Sequence, residues 1–191
     1  PKDWNTFRIY MRDFGRYKKD PKVPGTIVFD KEIKVETKED ELVETQIDLS
    51  PALDGKFGHV FITVEPRPWN KKWRPTQLAA WVQATEIGLD AFYDGEELVG
   101  WATDLGSGAQ KSGIKLELQP SGLSQTTNGK GLARFSLSEK GNRLLIARSG
   151  KDLAFLPRNG RYFWGDYNGW HRNIQSDTLR WYVFDDRKMY R

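Results

Sequence analysis

Apolar and polar residues alternate with a period of two in short runs along most of the chain. In the first part, these runs cover residues 6–10, 26–35, 43–49 and 59–64. In the second part, they cover residues 78–85, 89–93, 98–103, 114–119, 123–127, 132–137, 143–148 and 153–156. A period of two places alternate side chains on one face of a strand, and turn residues such as Asn128-Gly129 separate the runs. The pattern predicts an all-β chain with a single helical turn at Ser50-Pro51.

The two groups of runs predict two antiparallel β-sandwich domains in tandem, of the fibronectin-III or immunoglobulin type. We place the first domain over residues 1–72 and the second over residues 76–157. Residues 66–75 contain three prolines and four basic residues, a composition that suits an interdomain linker better than a strand. The first group has fewer runs than the seven or so strands of a sandwich, which leaves open that part of this domain precedes Pro1.

The last thirteen residues, 179–191, also alternate like a strand. Nothing follows them with which a strand of their own domain would pair. We therefore interpret residues 158–191 as a connector and the first strand of a further domain. On this interpretation the chain is a piece of a longer polypeptide.

The composition excludes several classes of chemistry. Aromatic residues make up 13% of the chain, including eight tryptophans, which is typical of small packed β cores and not of disorder. The chain has no cysteine, so it forms no disulfide, thiolate metal site, thiol nucleophile or thioester. The 30 basic and 26 acidic residues give a net charge of +4, a mild excess that specifies no partner. No apolar run is long enough to span a bilayer.

Only two histidines, His59 and His171, are available as neutral bases or imidazole ligands. His59 begins a predicted strand, and a place on the sheet surface or edge accounts for it. His171, with Asp166 and Asp177, is a candidate metal site, but one histidine and two loop carboxylates are a weak ligand set. We expect no catalytic residue, no bound cofactor and no metal, and we expect that the chain is not an enzyme.

Two stretches are candidate binding surfaces. Basic and aromatic residues interleave over residues 8–19, as in single-stranded nucleic-acid sites, but the same residues fit a charged sheet edge. We favour the edge and expect no nucleic-acid partner. Residues 164–170 run from Trp164 to Trp170 and combine tryptophan and tyrosine with aspartate and asparagine, a set that binds sugars or proteins or anchors a loop between domains. An extracellular module that binds a glycan or a protein through this loop is the alternative function.

Several blocks of the sequence, taken in order, resemble the macroglobulin (MG) domains of bacterial alpha-2-macroglobulins. These blocks are residues 80–90, 101–118, 126–135, 152–156 and 181–191. The final block includes Asp186-Arg187-Lys188-Met189-Tyr190-Arg191, which in that family leads into the next MG domain. Residues 1–75 fit the family more loosely, through residues 45–53 and the strand that ends near Pro66.

The resemblance implies a non-catalytic scaffold. Full-length members of the family are periplasmic or secreted protease traps, in which cleavage of a bait region closes the molecule and a thioester in many members bonds to the protease. Neither the thioester cysteine nor an obvious bait segment occurs in this chain. The resemblance implies that the partners are other domains of the same polypeptide, with proteases bound only by the full-length protein. It also implies a periplasmic or secreted location, which leaves open an anchor through a lipoprotein segment before Pro1.

Overall fold

The fold is given by a computed structural model of the chain. The structure describes residues 5–7, 10, 23–53, 55–67, 78–94, 96–137, 141, 143–158 and 169–172. Within these residues there is one 3-10 turn, Ser50–Ala52, at the position where a single helical turn is predicted. The described strands are β1 (Gly58–Val64), β2 (Leu78–Ala84), β3 (Ile87–Tyr93), β4 (Glu97–Asp104), β5 (Lys115–Gln119), β6 (Ser124–Thr126), β7 (Leu132–Ser136), β8 (Leu144–Ser149), β9 (Asp152–Pro157) and β10 (His171–Arg172).

Eight of these strands form two four-stranded sheets. The first sheet has the order β10-β3-β4-β7 and the second has the order β6-β5-β8-β9. All pairings are antiparallel except that of β10 with β3, which is parallel. The inward side chains of both sheets form one core, which includes Leu98, Ala102, Leu116, Leu118 and Leu145. The predicted all-β class and β-sandwich architecture are confirmed, and β2 to β9 match the eight predicted strands of the second part to within two residues.

A two-stranded hairpin forms a third layer outside the sandwich. Strands β1 and β2 pair with each other along seven positions, from Gly58↔Ala84 to Val64↔Leu78. The hairpin packs on the outer face of the second sheet, where β8 and β9 present Leu144, Ile146 and Phe155. The three side chains are buried, because Phe61 and Trp81 of the hairpin and Phe7 pack in one cluster with them. The second sheet is therefore covered by apolar side chains on both faces.

The strand predicted over residues 6–10 is not found in the described part of this segment. The described residues of this segment, 5–7 and 10, are helical. Phe7 and Tyr10 are three positions apart, so a helix places them on the same face, whereas a strand places them on opposite faces. Their rings both lie edge-to-face against Phe61, at centroid distances of 5.2 and 5.0 Å. Packing on the hairpin therefore overrides the local alternation.

No helix in the described part of the chain has the length and apolar composition needed to cross a membrane.

The strands predicted over residues 26–35 and 43–49 do not form either. Between them, Lys38 and Glu41 make an isolated antiparallel bridge around a two-residue turn, with Asp40 at φ 57°. Continued along the chain, this register would place Val35 opposite Glu44, so the apolar faces of the two segments would point in opposite directions. In that register the apolar side chains of the two segments would not cover one another, and Ile27, Val35 and Leu42 are exposed. Alternation alone does not form a strand where no sheet receives it.

The Asn128-Gly129 turn also differs from its prediction as a tight hairpin. The strands that flank it, β6 and β7, belong to different sheets, so the turn crosses from one layer of the sandwich to the other. Asn128 Oδ1 accepts hydrogen bonds from the backbone N–H groups of Lys130 and Leu132, and the positive φ of 75° lies at Gly131. A tight two-residue hairpin does form between β8 and β9, where Ser149 pairs with Asp152.

The predicted division into domains at residues 72–76 lies between β1 and β2. Because these strands pair along their full length, they join the two predicted domains through one hairpin. The division itself stays a prediction. The predicted strand over residues 179–191 lies outside the described residues.

Candidate functional site at the hairpin junction

Polar side chains of the described residues converge where the hairpin meets β9. Among the described strands, β9 lies at the edge of the second sheet, since of these strands only β8 pairs with it. Alternate residues of an edge strand turn their N–H and C=O groups away from the sheet, and these groups need other partners when they are buried. In β9 these residues are Leu153 and Phe155, and the hairpin supplies partners for the Leu153 carbonyl and for both groups of Phe155. We call the group His59, Trp81, Gln83, Asp152 and Phe155 the hairpin junction.

Gln83 of β2 binds the backbone of Phe155 at both of its polar groups. Gln83 Nε2 donates to the Phe155 carbonyl at 3.0 Å, and the Phe155 N–H donates to Gln83 Oε1 at 2.8 Å. A primary amide presents an NH₂ group and a carbonyl oxygen side by side, so it can donate to and accept from a strand as a neighbouring peptide group would. The Gln83 side chain thus makes, at this point of the edge, the two hydrogen bonds that a neighbouring strand would make.

His59 of β1 bridges Trp81 and β9. The Trp81 indole N–H donates to His59 Nδ1 at 3.0 Å, and His59 Nε2 lies 3.0 Å from the Leu153 carbonyl oxygen. An indole nitrogen only donates and a carbonyl oxygen only accepts. Both contacts are therefore satisfied by one form of the ring, the neutral tautomer with its proton on Nε2.

The surroundings of His59 also favour the neutral ring. Its imidazole stacks on Phe155 with centroids 5.2 Å apart and ring planes 6° apart. Desolvation of the half-buried ring lowers the pKa of His59 below 6.5, against the opposing effects of the Leu153 carbonyl and the Asp152 charge. His59 is thus an uncharged structural group at neutral pH.

Asp152 holds the end of the hairpin to the start of β9. Its carboxylate is buried and accepts hydrogen bonds from the Thr85 hydroxyl at 2.6 Å and from the Glu86 N–H at 3.0 Å. The Thr85 hydroxyl in turn accepts from the Ile87 N–H at 3.0 Å. These bonds fix residues 85–86, the connection between the hairpin and β3. Glu86 also pairs with Lys56, and this pairing raises the pKa of that amine.

An aromatic cluster surrounds these polar contacts. Phe7, which is fully buried, lies edge-to-face against Trp81 at 5.1 Å, and Trp81 lies edge-to-face against Phe155 at 5.5 Å. Edge-to-face pairs at these distances add to the stability that burial of the rings provides. The junction therefore combines apolar packing with hydrogen bonds between donors and acceptors of the hairpin, of residues 85–86 and of β9.

The candidate metal residues are only partly described. His171 lies on β10, where its ring stacks on Phe92 at 5.0 Å and its Nε2 is 3.7 Å from Asp90 Oδ1. Asp166 and Asp177 lie outside the described residues. Within the described part, no three histidine or carboxylate side chains are grouped so as to hold a metal ion. The structure thus places Asp90, which the sequence pattern does not indicate, beside His171.

Of the predicted aromatic loop, the structure describes Trp170, which is an anchor. It is 7% exposed and belongs to the core of the sandwich. Its Nε1–H donates to the Leu156 carbonyl at 3.0 Å, and the Arg158 guanidinium lies 5.9 Å from its ring centroid. Trp164 lies outside the described residues.

In the basic and aromatic stretch at residues 8–19, the described residue is Tyr10. Its ring is buried against the hairpin and does not form a surface for stacking bases.

The sequence pattern does not indicate Gln83 or Asp152 as site residues. Gln83 is a polar residue inside a predicted strand, and Asp152 follows a glycine turn, so each looks like a solvent-facing residue. The partner of Gln83 is 72 positions away in the chain, and the two partners of Asp152 are 66 and 67 positions away. No local signal connects residues at such separations.

Two solved structures of native alpha-2-macroglobulin from Escherichia coli are similar to this chain. The structure spanning domains NIE-MG1 has a TM-score of 0.38 and 23% identity, covering 41% of this chain and 39% of that one. The structure spanning domains MG0-NIE-MG1 has a TM-score of 0.39 and 23% identity, covering 41% of this chain and 27% of that one. The match therefore spans well under half of each of those chains. No protein-family model and no curated protein matches the sequence.

Proposed function

We propose that this chain is a structural module of a larger macroglobulin-like protein, and that it positions neighbouring parts of the polypeptide without catalytic chemistry of its own. The observation that carries this proposal is the use of polar groups at the hairpin junction. His59 and Asp152 are the described side chains there with the chemistry of a general base, and both are engaged in hydrogen bonds that join the hairpin to β9. A rigid join between layers is what a scaffold requires.

The sequence resemblance to MG domains supports the same role. Its blocks at residues 80–90, 101–118, 126–135 and 152–156 fall on β2 of the hairpin and on strands and turns of the sandwich. These are parts of the chain that build the layers, which a likeness in scaffold would preserve. The proposed partners are other domains of the same polypeptide.

The activity of the parent protein is also a proposal. We infer from the resemblance that the parent is periplasmic or secreted and inhibits proteases by bait cleavage and entrapment. The chain itself has no cysteine, so any thioester of the parent lies outside it. On this proposal, proteases are bound by the full-length protein and not by this module.

The alternative function, a glycan or protein site on the aromatic loop, has less support. A sugar-binding tryptophan presents its ring face to solvent. Trp170 instead donates its indole N–H to Leu156 and packs in the core. The observation at this residue favours anchoring of the loop.

Protease assays with two kinds of substrate test the proposal. Entrapment blocks cleavage of a large protein but leaves a small peptide substrate accessible. The full-length parent should therefore slow hydrolysis of casein and spare a peptide substrate, whereas the 191-residue chain should slow neither. Inhibition by the isolated chain at stoichiometric amounts would overturn the scaffold proposal. Equal inhibition of both substrates by the parent would overturn entrapment.

A further inference from the structure

We propose that the β1–β2 hairpin is a pH-sensitive cover on the second sheet: protonation of His59 releases the hairpin from β9 and exposes the apolar face of β8 and β9. This inference goes beyond the scaffold role and does not depend on the parent being a protease trap. It rests on the geometry of the hairpin junction.

The first step is the hydrogen-bond pattern of the ring. His59 Nδ1 accepts from Trp81, and its Nε2 donates to the Leu153 carbonyl. A protonated imidazole donates from both nitrogens and accepts at neither. On protonation, the Nδ1–H would face the Trp81 indole N–H, so two donors would meet at 3.0 Å. The bond between His59 and Trp81, which lies within the hairpin, is lost, while the Nε2–H still donates to the Leu153 carbonyl. The ring is half-buried and stacked on Phe155, so the contact between two donors and the buried charge are relieved when the hairpin leaves β9.

The second step is the charged groups around the ring. From β9, Asp152 favours the protonated form, and the positive charge of the amino terminus disfavours it. The Lys56–Glu86 pair lies at the same end of the junction. From β1 and β2, the neighbours Trp81 and Gln83 are uncharged. Burial outweighs the attraction of Asp152, so the pKa of His59 is lowered.

The sign of the pH effect follows from that direction. A histidine with a lowered pKa in the docked state binds its proton more readily once the hairpin is released. Docking is therefore fully stabilised above the ordinary histidine pKa of 6.5, and this stabilisation is lost as the pH falls below that value. Acid shifts the population toward the released form.

The third step is the separation between the hairpin and the core. On β8, Ile146 faces the hairpin and Ala147 faces the sandwich interior, and each is buried in a different apolar cluster. The hairpin leaves through residues 85–86, while the sandwich keeps its own core. Phe7 belongs to the outer cluster and packs edge-to-face on Phe61 and Trp81, so it leaves together with the hairpin. Release then exposes Ile146 and Phe155 but leaves Ala147 covered.

Cysteine labelling distinguishes this local opening from unfolding. The chain has no cysteine, so Ile146→Cys and Ala147→Cys each introduce a single thiol on neighbouring positions of one strand. Labelling with a pyridyl disulfide, which reacts with thiols in acid, is normalised at each pH to a denatured sample of the same variant. From about pH 7.5 to about pH 5, the normalised rate at position 146 should rise by up to about 30-fold, the limit for a group with the ordinary histidine pKa in the released form. The rate at position 147 should stay constant.

The two histidines supply a matched pair of variants. His59→Gln replaces the neutral ring with an amide that donates and accepts at every pH, so it should abolish the acceleration at position 146. His171→Gln removes the other histidine, which lies on β10, and should leave the acceleration unchanged. Acceleration that persists in His59→Gln would overturn the proposal, as would equal acceleration at position 147 or constant labelling at position 146.

Hydrogen exchange gives the same test without cysteine. After correction for intrinsic exchange rates, the Phe155 amide should lose protection in acid, because its partner is Gln83. The amide of Leu118, a residue of the sandwich core, should keep its protection. Constant protection at Phe155 in the wild-type chain would overturn the proposal.

Discussion

Gln83 and Phe155 are joined by two hydrogen bonds, from Gln83 Nε2 to the Phe155 carbonyl at 3.0 Å and from the Phe155 N–H to Gln83 Oε1 at 2.8 Å. The pair connects the hairpin to the edge of the second sheet. Exposed sheet edges pair with other chains unless something covers them. An amide side chain covers this one, and Pro157, which has no N–H to offer, ends the strand.

Truncation of Gln83 should remove the two hydrogen bonds that its side chain makes with the backbone of Phe155. We expect Gln83→Ala to lower the free energy of unfolding by about 1–3 kcal/mol, because buried polar groups lose their hydrogen bonds. Urea denaturation followed by circular dichroism measures this. Gln125→Ala, at an exposed position on β6, is the matched control and should change stability by less than about 0.5 kcal/mol. Equal effects of the two substitutions would show that the Gln83 bonds do not stabilise the fold.

The strands of the second part are predictable because alternation, turn residues and burial agree there. In β4, for example, Leu98, Gly100 and Ala102 are the buried positions of an alternating pattern, as period two requires. Residues 26–35 alternate just as clearly, but their outcome depends on the turn at Lys38 and Glu41, which sets an unfavourable register. Alternation predicts which side chains would share a face of a strand, but whether the strand forms depends on a neighbouring strand with which it can pair.

Thr127 makes two hydrogen bonds through one buried hydroxyl. Its Oγ1 accepts from the Ile114 N–H at 2.9 Å and donates to the Lys111 carbonyl at 2.8 Å. We expect Thr127→Val, which keeps the shape and removes the hydroxyl, to lower the free energy of unfolding by about 1–3 kcal/mol. The neighbouring Thr126→Val is the control, since Thr126 is exposed on β6, and it should be close to neutral. Thermal unfolding of both variants measures the difference, and a neutral Thr127→Val would contradict the role assigned to the hydroxyl.

Gly131 and Gly113 share a left-handed backbone, both at φ 75°, but differ in their surroundings. A Cβ at Gly131 would lie 2.4 Å from the Ala102 carbonyl oxygen, whereas a Cβ at Gly113 would meet nothing within 4 Å. Alanine is strained at both positions, and at Gly131 the clash with backbone should add about 1–3 kcal/mol. Denaturation midpoints of Gly131→Ala and Gly113→Ala measure that difference. Equal midpoints would mean that the turn at residues 128–131 moves away from β4 at little cost.

The hairpin junction is less predictable than the strands. His59 looks like a sheet-edge residue in the sequence, and it does lie on the first strand, but its partners Trp81 and Leu153 are 22 and 94 positions away. Nothing local distinguishes a histidine that will meet an indole N–H and a carbonyl from one that will face water. Trp170 is different, because a tryptophan in a connecting loop is typical of an anchor, and its place in the core agrees with that interpretation.

Asp104 should titrate far below an ordinary aspartate. Lys111 Nζ lies 3.1 Å from Asp104 Oδ2. Ser107 donates to Asp104 Oδ1 from both its hydroxyl and its backbone N–H. These bonds lower the pKa of Asp104 from 3.8 to about 2. Because the folded pKa is the lower one, this carboxylate stabilises the fold above pH 3.8, and the contribution disappears as the pH falls through about 2. Carbon-13 NMR of the carboxyl carbon measures the pKa directly. Lys111→Met should raise it toward 3.8, because Lys111 is the largest cause of the shift, whereas Lys130→Met, which removes an exposed lysine from the neighbouring turn, should not. An unchanged value in Lys111→Met would leave the Ser107 bonds as the source of the low pKa.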